Sequence, residues 1–581
     1  MNALTASAAI STGRVQLANV RQKSLVTAKV RVLIVVALFL LATVACTLRI
    51  AQLGLFEQTG RSESLADALL PPRAELVDRN GVPLARAFPA YALWFNPKVF
   101  GEGNGSPLVK TPAEVADALM AIFPDADRAD LLRRLKSDRP SYLRRRLLPE
   151  EANRVHALGE PALEFPRENQ RYYPQGSLAA NVLGYVDEAG GHVGMEQVLE
   201  KRLTDPALRG QPAVLAVDMR VQGALEDELN RGMLESHAKG AAGIILDVDT
   251  GEVVALASLP SFNPNRSDMA LNDLVFNRVT NQVYELGSTF KPITIAAAID
   301  AGVVTDMAKR YPTGAPLHIG GFEIHDSHSF GASLNVPEAL IHSSNIVTAQ
   351  VADQLGGPRL KQTMQALGMN ERPFIELPAR GFPLWPRGVD KNGDWARITT
   401  MTVSYGHGIA VTPLHLAAAY AALVNGGIWR PATLIKVEPG HVAQGRRVFS
   451  ASTSARMRQL LRMIVVDGTG RSANAPGFRV GGKTGSAEKP GGRGGYNKTS
   501  LVATFAAAFP MDKPRYVIIA MLDEPQGTVA TSFQRTAAFN AAPIVGRVVP
   551  RIGPLLGIVP DEARDVDISD LSPLVGNGDG E

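Results

Sequence analysis

Hydrophobic positions fall into three regimes along the chain. The first is an unbroken apolar run, Val32 to Leu48, that continues amphipathically through Ile50, Leu53, Leu55 and Phe56. Its 17 uncharged residues reach the lower limit for a helix that spans a bilayer. From about Ser62 to Lys239 the pattern is broken into short strand-like, helix-like and turn segments. Gly103, Gly105 and Pro107 mark a loop there, ahead of a helical pattern over Pro112–Ile122. A third regime begins at Gly243. Ile244-Ile245-Leu246 and Val253-Val254-Ala255-Leu256 flank Asp249-Thr250-Gly251, which predicts a β-hairpin with a glycine in its turn. Helical patterns then cover 288–302, 336–355 and 413–424, and strands return at 478–483, 501–508 and 516–522. Two strands at the start and three at the end predict one sheet closed by distant segments, in an α/β domain that is not an alternating βαβ unit. After about Gly546 the chain turns polar and acidic, and a frayed end is expected.

Charge sharpens the first regime. Arg14, Arg21, Lys23, Lys29 and Arg31 precede the apolar run, no acidic residue occurs before Glu57, and only Arg49 follows closely. That asymmetry predicts a cytoplasmic N-terminus and an exported body behind a retained signal anchor. Thr43-Val44-Ala45 is a poor cleavage site, and Thr43 fits badly with a lipoprotein signal ending at Cys46. The expected organisation is a tail over 1–31, an anchor over 32–50, a pedestal over 51–239, a catalytic-type domain over 240–550 and a polar tail over 551–581. With 581 residues, net charge +4 and 20% charged residues, the chain reads as several folded units, and nothing in its composition points to nucleic acid. Cys46 is the single cysteine, which excludes an intramolecular disulfide and a multi-cysteine metal site.

Three short motifs carry the chemistry: Ser288-Thr289-Phe290-Lys291, Ser343-Ser344-Asn345 and Lys483-Thr484-Gly485. Pro292 fits only a first helical turn, so a helix is expected to start at about Ser288 with Lys291 on the same face. Its N-terminus offers free N–H groups to whatever sits on the serine. A serine needs a base, and Lys291 can serve if burial and a second cation, Lys483, depress its pKa. Ser343-Ser344-Asn345 opens another helical run. Taken alone it is an N-cap cluster; in company, Ser343 can relay a proton, and Asn345 can hold a carbonyl and orient Lys291. Lys483, Thr484, Gly485 and Ser486, among glycines, follow the strand-like Phe478-Arg479-Val480. They suit an extended peptide with a terminal carboxylate, and the N–H groups of Ser288 and Ser486 suit an oxyanion. His325-Asp326-Ser327-His328 lacks a metal-binding pattern and reads as packing near the cleft. Gly406-His407-Gly408 reads as a turn, and Trp385, Trp395 and Trp429 as core or cleft rim. No metal or other cofactor is expected.

The motif order resembles that of serine penicillin-recognising enzymes. Further boxes narrow the resemblance to class B penicillin-binding proteins. Arg73-Ala74-Glu75-Leu76-Val77-Asp78-Arg79-Asn80-Gly81 is similar to the family's R-G-x-x-x-D-R-N/S-G box, with Ala74 for its glycine. Arg171-Tyr172-Tyr173-Pro174-Gln175-Gly176 and Gly194-Met195-Glu196 are similar to its R-x-Y-P-x-G and G-x-E boxes. Asp249–Glu252, Pro264-Asn265, Tyr284–Pro292 and Asn425-Gly426-Gly427 also fit, with Leu286 for a common proline and Ser486 for a threonine.

The resemblance implies an antiparallel sheet with helices on both faces, an elongated α+β pedestal and one transmembrane helix. It implies acyl transfer on the D-Ala-D-Ala end of a lipid-linked or nascent peptidoglycan stem peptide, with penicillins and other β-lactams as covalent inhibitors. Size and the Tyr-Glu-x-Gly-Ser-Thr-Phe-Lys segment look more like the cell-division branch than the elongation branch. That implies a single-pass protein of the inner membrane at the division site, with a glycosyltransferase of the FtsW kind among its partners. Arg73, Asp78, Arg79, Arg171 and Glu196 are expected to form a buried ionic cluster joining the pedestal to its hinge and to the catalytic domain. A penicillin sensor would need a signalling module, for which 31 residues are too few, and a dead scaffold should have lost a motif member. A carboxypeptidase or β-lactamase would differ by letting water replace the acceptor amine.

Overall fold

The computed structural model describes residues 29–47, 73–99, 111–187, 190–269, 272–491 and 495–576. Residues 1–28 of the tail expected over 1–31, the continuation through Ile50–Phe56, the 103–107 loop and the last five residues lie outside these. Two compact units divide at Leu70/Pro71. The first contains one helix, Lys29–Thr47, long and apolar enough to cross a membrane.

The second unit begins with the pedestal. A long strand, Pro83–Phe95, pairs antiparallel with Leu76–Val77, Ser141–Leu147 and Arg167–Tyr172. Helices Pro112–Ile122, Arg128–Leu135 and Pro149–His156 bury Leu119, Leu131 and Val155 against Leu93, Phe95 and Leu147 of that sheet. Thr111 caps the first of these helices by accepting from Glu114 N, and Pro112 fills its first turn.

A five-stranded antiparallel sheet forms the rest of the unit. Its strands are β1 (Gly240–Asp247), β2 (Val253–Leu259), β3 (Gly481–Pro490), β4 (Tyr496–Phe509) and β5 (Tyr516–Asp523), in the order β2-β1-β5-β4-β3. The first hairpin and the last three strands meet where β1 pairs antiparallel with β5, which is the sheet closure the pattern predicts. The helices used below are α1 (Met219–Glu235), α2 (Lys291–Asp300), α3 (Val336–Ile341), α4 (Asn345–Leu355), α5 (Pro413–Val424), α6 (Ala451–Val466) and α7 (Ala541–Ile552). Period-two alternation builds two cores. Val517, Ile519 and Met521 of β5 join Leu416 and Tyr420 of α5 on one face, while Ile518, Ala520 and Leu522 join Leu225 and Leu229 of α1 and Val545 and Val549 of α7 on the other. Although α1 falls in the segment expected as pedestal, its buried face covers this sheet, because Gly243 leaves room for Leu225 and Leu229.

Two expectations are corrected. The strand expected over 478–483 starts only at Gly481, because Arg479 has a φ of +50° and breaks the extended path; the Lys483-Thr484-Gly485 motif therefore lies inside β3, not after a strand. The helical pattern over 336–355 resolves into two helices, the second opening behind Ser343-Ser344 as expected, and the two part where Ser343 sits at φ +63°. The C-terminal segment does not fray. Beyond α7, Leu571 is buried in the main core with Ile568 and Leu574 packed against it. Arg462 of α6 grips Asp565 at 2.6 and 2.9 Å, and Asn335, the N-cap of α3, donates to Leu574 O at 2.7 Å. Its acidic residues are partners for arginines on α6, so a polar composition here signals docking, not solvation.

Candidate active site

Ser288 sits in a 3-10 turn, Gly287–Phe290, that runs directly into α2. The helix expected from Ser288 thus begins at Lys291, after one tighter turn. In a 3-10 turn residues i and i+3 eclipse, which stacks Ser288 and Lys291 on one edge. Gly287 holds φ +55°, Thr289 ties its hydroxyl back to Leu286 O at 2.9 Å, and the buried Tyr420 hydroxyl donates to Thr289 O at 2.8 Å. Ser288 is left half-buried while Lys291 is fully buried.

The break between α3 and α4 delivers the second motif. The left-handed Ser343 turns its backbone and hydroxyl toward Lys291: Lys291 Nζ donates to Ser343 Oγ at 3.1 Å and to the Ser343 carbonyl. Ser344 caps α4 by accepting from Val347 N at 3.1 Å. Asp326 completes that cap, accepting from Ser344 Oγ at 2.7 Å, Asn345 N at 2.5 Å and Ile346 N at 3.1 Å. The Asn345 side chain departs from expectation. It donates to His325 O at 3.0 Å, and the contacts of Lys291 are with Ser343 instead. Within the His325–His328 segment Asp326 serves as the cap, while His325 and His328 are exposed and do not provide the packing expected of them; among the described residues no group of histidine, cysteine and carboxylate side chains could hold a metal ion.

The third motif comes from β3, the edge strand of the sheet, whose described partner is β4. Edge position leaves main-chain groups open to a further strand. Lys483 is fully buried, and its Nζ donates to Thr484 Oγ1 and Thr484 O, both at 3.1 Å. Thr484 shares a hydrogen bond of 2.8 Å with Thr469, and Ser486 Oγ accepts from Ala537 N at 3.0 Å. Gly485 must be glycine. A Cβ there would lie 2.4 Å from Leu286 O and 2.7 Å from Thr289 Cγ2, so β3 presses against the turn that carries Ser288.

Electrostatics bind the three motifs together. Burial drives the Lys291 amine well below its ordinary pKa, the neighbouring Lys483 cation pushes it further, and Asp326 opposes both. Burial alone brings Lys483 to about 7. The Lys483 charge thus acts on Lys291, and both amines are fully buried.

Sequence reasoning missed an aromatic group that lies close enough to the motifs to feel the Lys291 charge. Rings of Tyr405, His407 and Tyr496 follow one another at 5.2 and 5.6 Å, edge to face. Tyr496 donates to Glu285 at 2.9 Å, and Glu285 accepts from Gly408 N at 3.2 Å. Burial, followed by the Lys291 charge, lowers the pKa of His407 and favours the neutral ring. The glycines on either side do make a turn, with φ of +81° at Gly406 and +75° at Gly408. Their second role lies in spacing: a Cβ on Gly406 would lie 2.2 Å from Gly287 O. A histidine bracketed by two glycines was the available signal.

The five pedestal residues do not make one cluster. Glu196, fully buried, receives Arg73 Nε at 2.8 Å and Arg171 Nε at 2.7 Å, and Arg73 also forks onto Glu200. Asp78 works elsewhere, accepting from Asn80 N and Val82 N in its own turn and from Met219 N at the start of α1. Arg79 reaches Glu252 at 3.3 Å beside the β1–β2 turn, and so crosses to the sheet unit. Trp395 is buried against Trp385, and Trp429 lies under Arg446.

Comparison with known proteins agrees with this architecture. Residues 241–547 match the penicillin binding protein transpeptidase domain, and 68–232 match the penicillin-binding protein dimerisation domain. The chain is 38% identical to a probable peptidoglycan D,D-transpeptidase FtsI of Caulobacter vibrioides, over 91% of this chain and 89% of that one. It is 29% identical to the peptidoglycan D,D-transpeptidase FtsI of Escherichia coli, over 87% and 88%. Among solved structures, the transpeptidase domain of Burkholderia pseudomallei penicillin-binding protein 3 aligns with a TM-score of 0.53 at 30% identity, covering 60% of this chain and 97% of that one. Penicillin-binding protein 3 of Mycobacterium tuberculosis shares the fold, with a TM-score of 0.65 at 24% identity over 85% and 98%.

Proposed function

The chain belongs to the penicillin-binding proteins that join a dimerisation domain to a transpeptidase domain, and from that premise we propose that it cross-links peptidoglycan stem peptides during cell division. Lys291, neutral in its buried site, takes the proton of Ser288, whose oxygen attacks the penultimate D-alanine carbonyl. The N–H groups of Ser288 and Ser486 receive the oxyanion. Lys483, Thr484, Gly485 and Ser486 hold the terminal carboxylate, and Asn345 holds a substrate carbonyl. When the C–N bond breaks, Ser343 passes a proton to the leaving D-alanine, and the ester remains on Ser288. An amine of a second stem then attacks the ester, gives up a proton through the same relay and frees the serine.

The observation that carries this reading is the Lys291 amine: buried, beside Lys483, and hydrogen-bonded to the Ser343 hydroxyl. A buried lysine with a depressed pKa is a base, whereas a solvated one is a cation. The Glu196 ion cluster and the Arg79–Glu252 contact are assigned structural parts, stiffening the pedestal and joining it to the sheet unit. β-Lactams act as donor mimics that stall as the Ser288 ester. The Lys29–Thr47 helix supports an anchor in the cytoplasmic membrane with the N-terminus inside and the domains outside. A glycosyltransferase of the FtsW kind is the partner that would supply nascent strands.

Replacing Ser288 by alanine and incubating with a labelled penicillin tests the chemistry: labelling should vanish, and stoichiometric labelling that persists would reject the assignment. Depletion in the cell tests the division role. Filaments without septa agree with it, and rounded cells point to elongation.

A further inference from the structure

After α7 the chain stays on the sheet unit. Ile558 is buried in the core on the α1–α7 face of the sheet, and Leu571 is buried in the core on the opposite face. Residues 561–574 thus pass from one core to the other, and their polar ties fall at three places. At the start, Asp561 N donates to Gly477 O at 2.9 Å and Arg479 donates to Asp561 O at 3.2 Å. Arg564 pairs there with Asp512, which also receives Arg479 Nε at 2.7 Å. In the middle, Asp565 receives Nε and Nη2 of Arg462, Asp570 receives Arg456 at 2.6 Å, and Asp567 O receives Gln459 at 2.6 Å. At the end, Leu574 O receives Asn335 Nδ2 at 2.7 Å.

These ties reach the roots of two motifs. Gly477 and Arg479 lie just ahead of β3. Arg462, 8% exposed, grips Asp565 and at the same time donates Nη1 to Val480 O at 2.9 Å, just ahead of the strand that carries Lys483. A guanidinium that forks onto a carboxylate fixes direction as well as attraction. Asn335 is the N-cap of α3, and its side chain also accepts from Glu338 N at 2.9 Å. That helix ends at Ile341, just before Ser343. Between these roots, the turn that follows α6 touches both motifs: Thr469 N donates to Ile341 O at 3.4 Å, and the Thr469 hydroxyl meets Thr484. We propose that residues 561–574 are a strap that sets the spacing between Ser343 and Lys483, with Arg462 and Asn335 as positioning residues for acyl transfer. Neither residue is assigned a contact with the reacting atoms. Arg462 holds the root of β3 and Asn335 the root of α3, so a shift of the strap moves the proton relay against the carboxylate site. The proposal rests on the transpeptidase reading and adds a remote determinant of its rate.

The test uses the full-length protein and a labelled penicillin. The concentration dependence of labelling separates the acylation rate constant from the noncovalent dissociation constant. Rates are taken per molecule that labels to completion, so unfolded protein does not count. Asp565→Asn combined with Asp570→Asn removes the middle ties without changing size. Asn335→Ser keeps an N-cap acceptor for Glu338 N and loses the donor to Leu574 O. Each should lower the acylation rate constant about tenfold, less than a displacement of a full ångström at the site costs. Asp565→Glu combined with Asp570→Glu keeps both charges and should restore most of the rate. A wild-type rate constant per active molecule in either folded variant overturns the strap, whatever its melting temperature, and leaves serine acylation intact. Where the Asp565 and Asp570 variant does not fold, Asn335→Ser decides alone. Failure of the wild type to label at Ser288 would instead reject the transpeptidase reading, and the role of the strap with it.

Discussion

Replacing Lys483 by methionine is expected to stabilise the folded protein while silencing it. Burial takes the Lys483 amine from 10.5 to about 7, so at pH 7 the folded state carries a penalty of roughly 4 kcal/mol relative to an unfolded chain whose lysine is solvated. Methionine fills a similar volume without charge. The substitution also removes two hydrogen bonds to Thr484, at about 1 kcal/mol each, although Thr484 keeps Thr469 as a partner. The net gain is roughly 2 kcal/mol, a melting temperature higher by about 2–5 °C. The sign with pH follows from linkage. A lysine whose folded pKa lies below its unfolded value costs most below about 7, and the cost disappears as pH rises toward 10.5. The gain should therefore be largest at pH 7 or below and be lost near pH 10, which calorimetry of the full-length protein at the two pH values measures. Acylation by a penicillin should fall about 10²–10³-fold at the same time. A variant destabilised at pH 7, or one with an equal gain at pH 10, would refute the claim that a desolvated cation sits at this position.

Three more outcomes follow from particular contacts. Gly406→Ala puts a Cβ 2.2 Å from Gly287 O, and the turn bearing Ser288 must retreat by nearly an ångström; acylation should drop about 10²-fold in a protein that still melts cooperatively. In a pH profile of penicillin acylation, the alkaline limb should lie near pH 7, where Lys483 loses its proton; Lys483→Arg, which stays charged, should lack that limb even though its overall rate is lower. Glu196→Ala leaves Arg73 and Arg171 without their buried counter-charge and should cost about 3–5 kcal/mol in chemical denaturation.

Much of the architecture was legible because its central strands are short, nearly unbroken apolar runs. The 501–508 and 516–522 segments are strands at the expected places, since each buries both faces against a separate core. The hairpin about Asp249-Thr250-Gly251 and the helix over 413–424 also lie where the pattern puts them. What stayed hidden depends on tertiary partners. Nothing in the pattern of 336–355 reveals that Ser343 adopts a left-handed conformation, because Lys291 and Asp326, which meet this break, come from distant segments. The polar C-terminal stretch resembles a tail until Arg462 and Arg456 supply partners for Asp565 and Asp570. His407 looks like turn filling until Tyr405 and Tyr496 close on its ring. The motif residues themselves were recoverable, since a hydroxyl, two amines and a glycine-flanked strand are a sparse combination. Asn345 was located without its contact, because its partner is a backbone carbonyl that no side-chain pattern announces.

A crystal structure of the penicillin-treated full-length protein measures the central claim directly. The account predicts one covalent bond, from Ser288 Oγ to the opened lactam carbonyl. The carbonyl oxygen should lie between the N–H groups of 288 and 486, and the carboxylate should rest on Lys483, Thr484 and Ser486. An adduct on another side chain, or an acyl group on Ser288 whose carboxylate points away from β3, would contradict it.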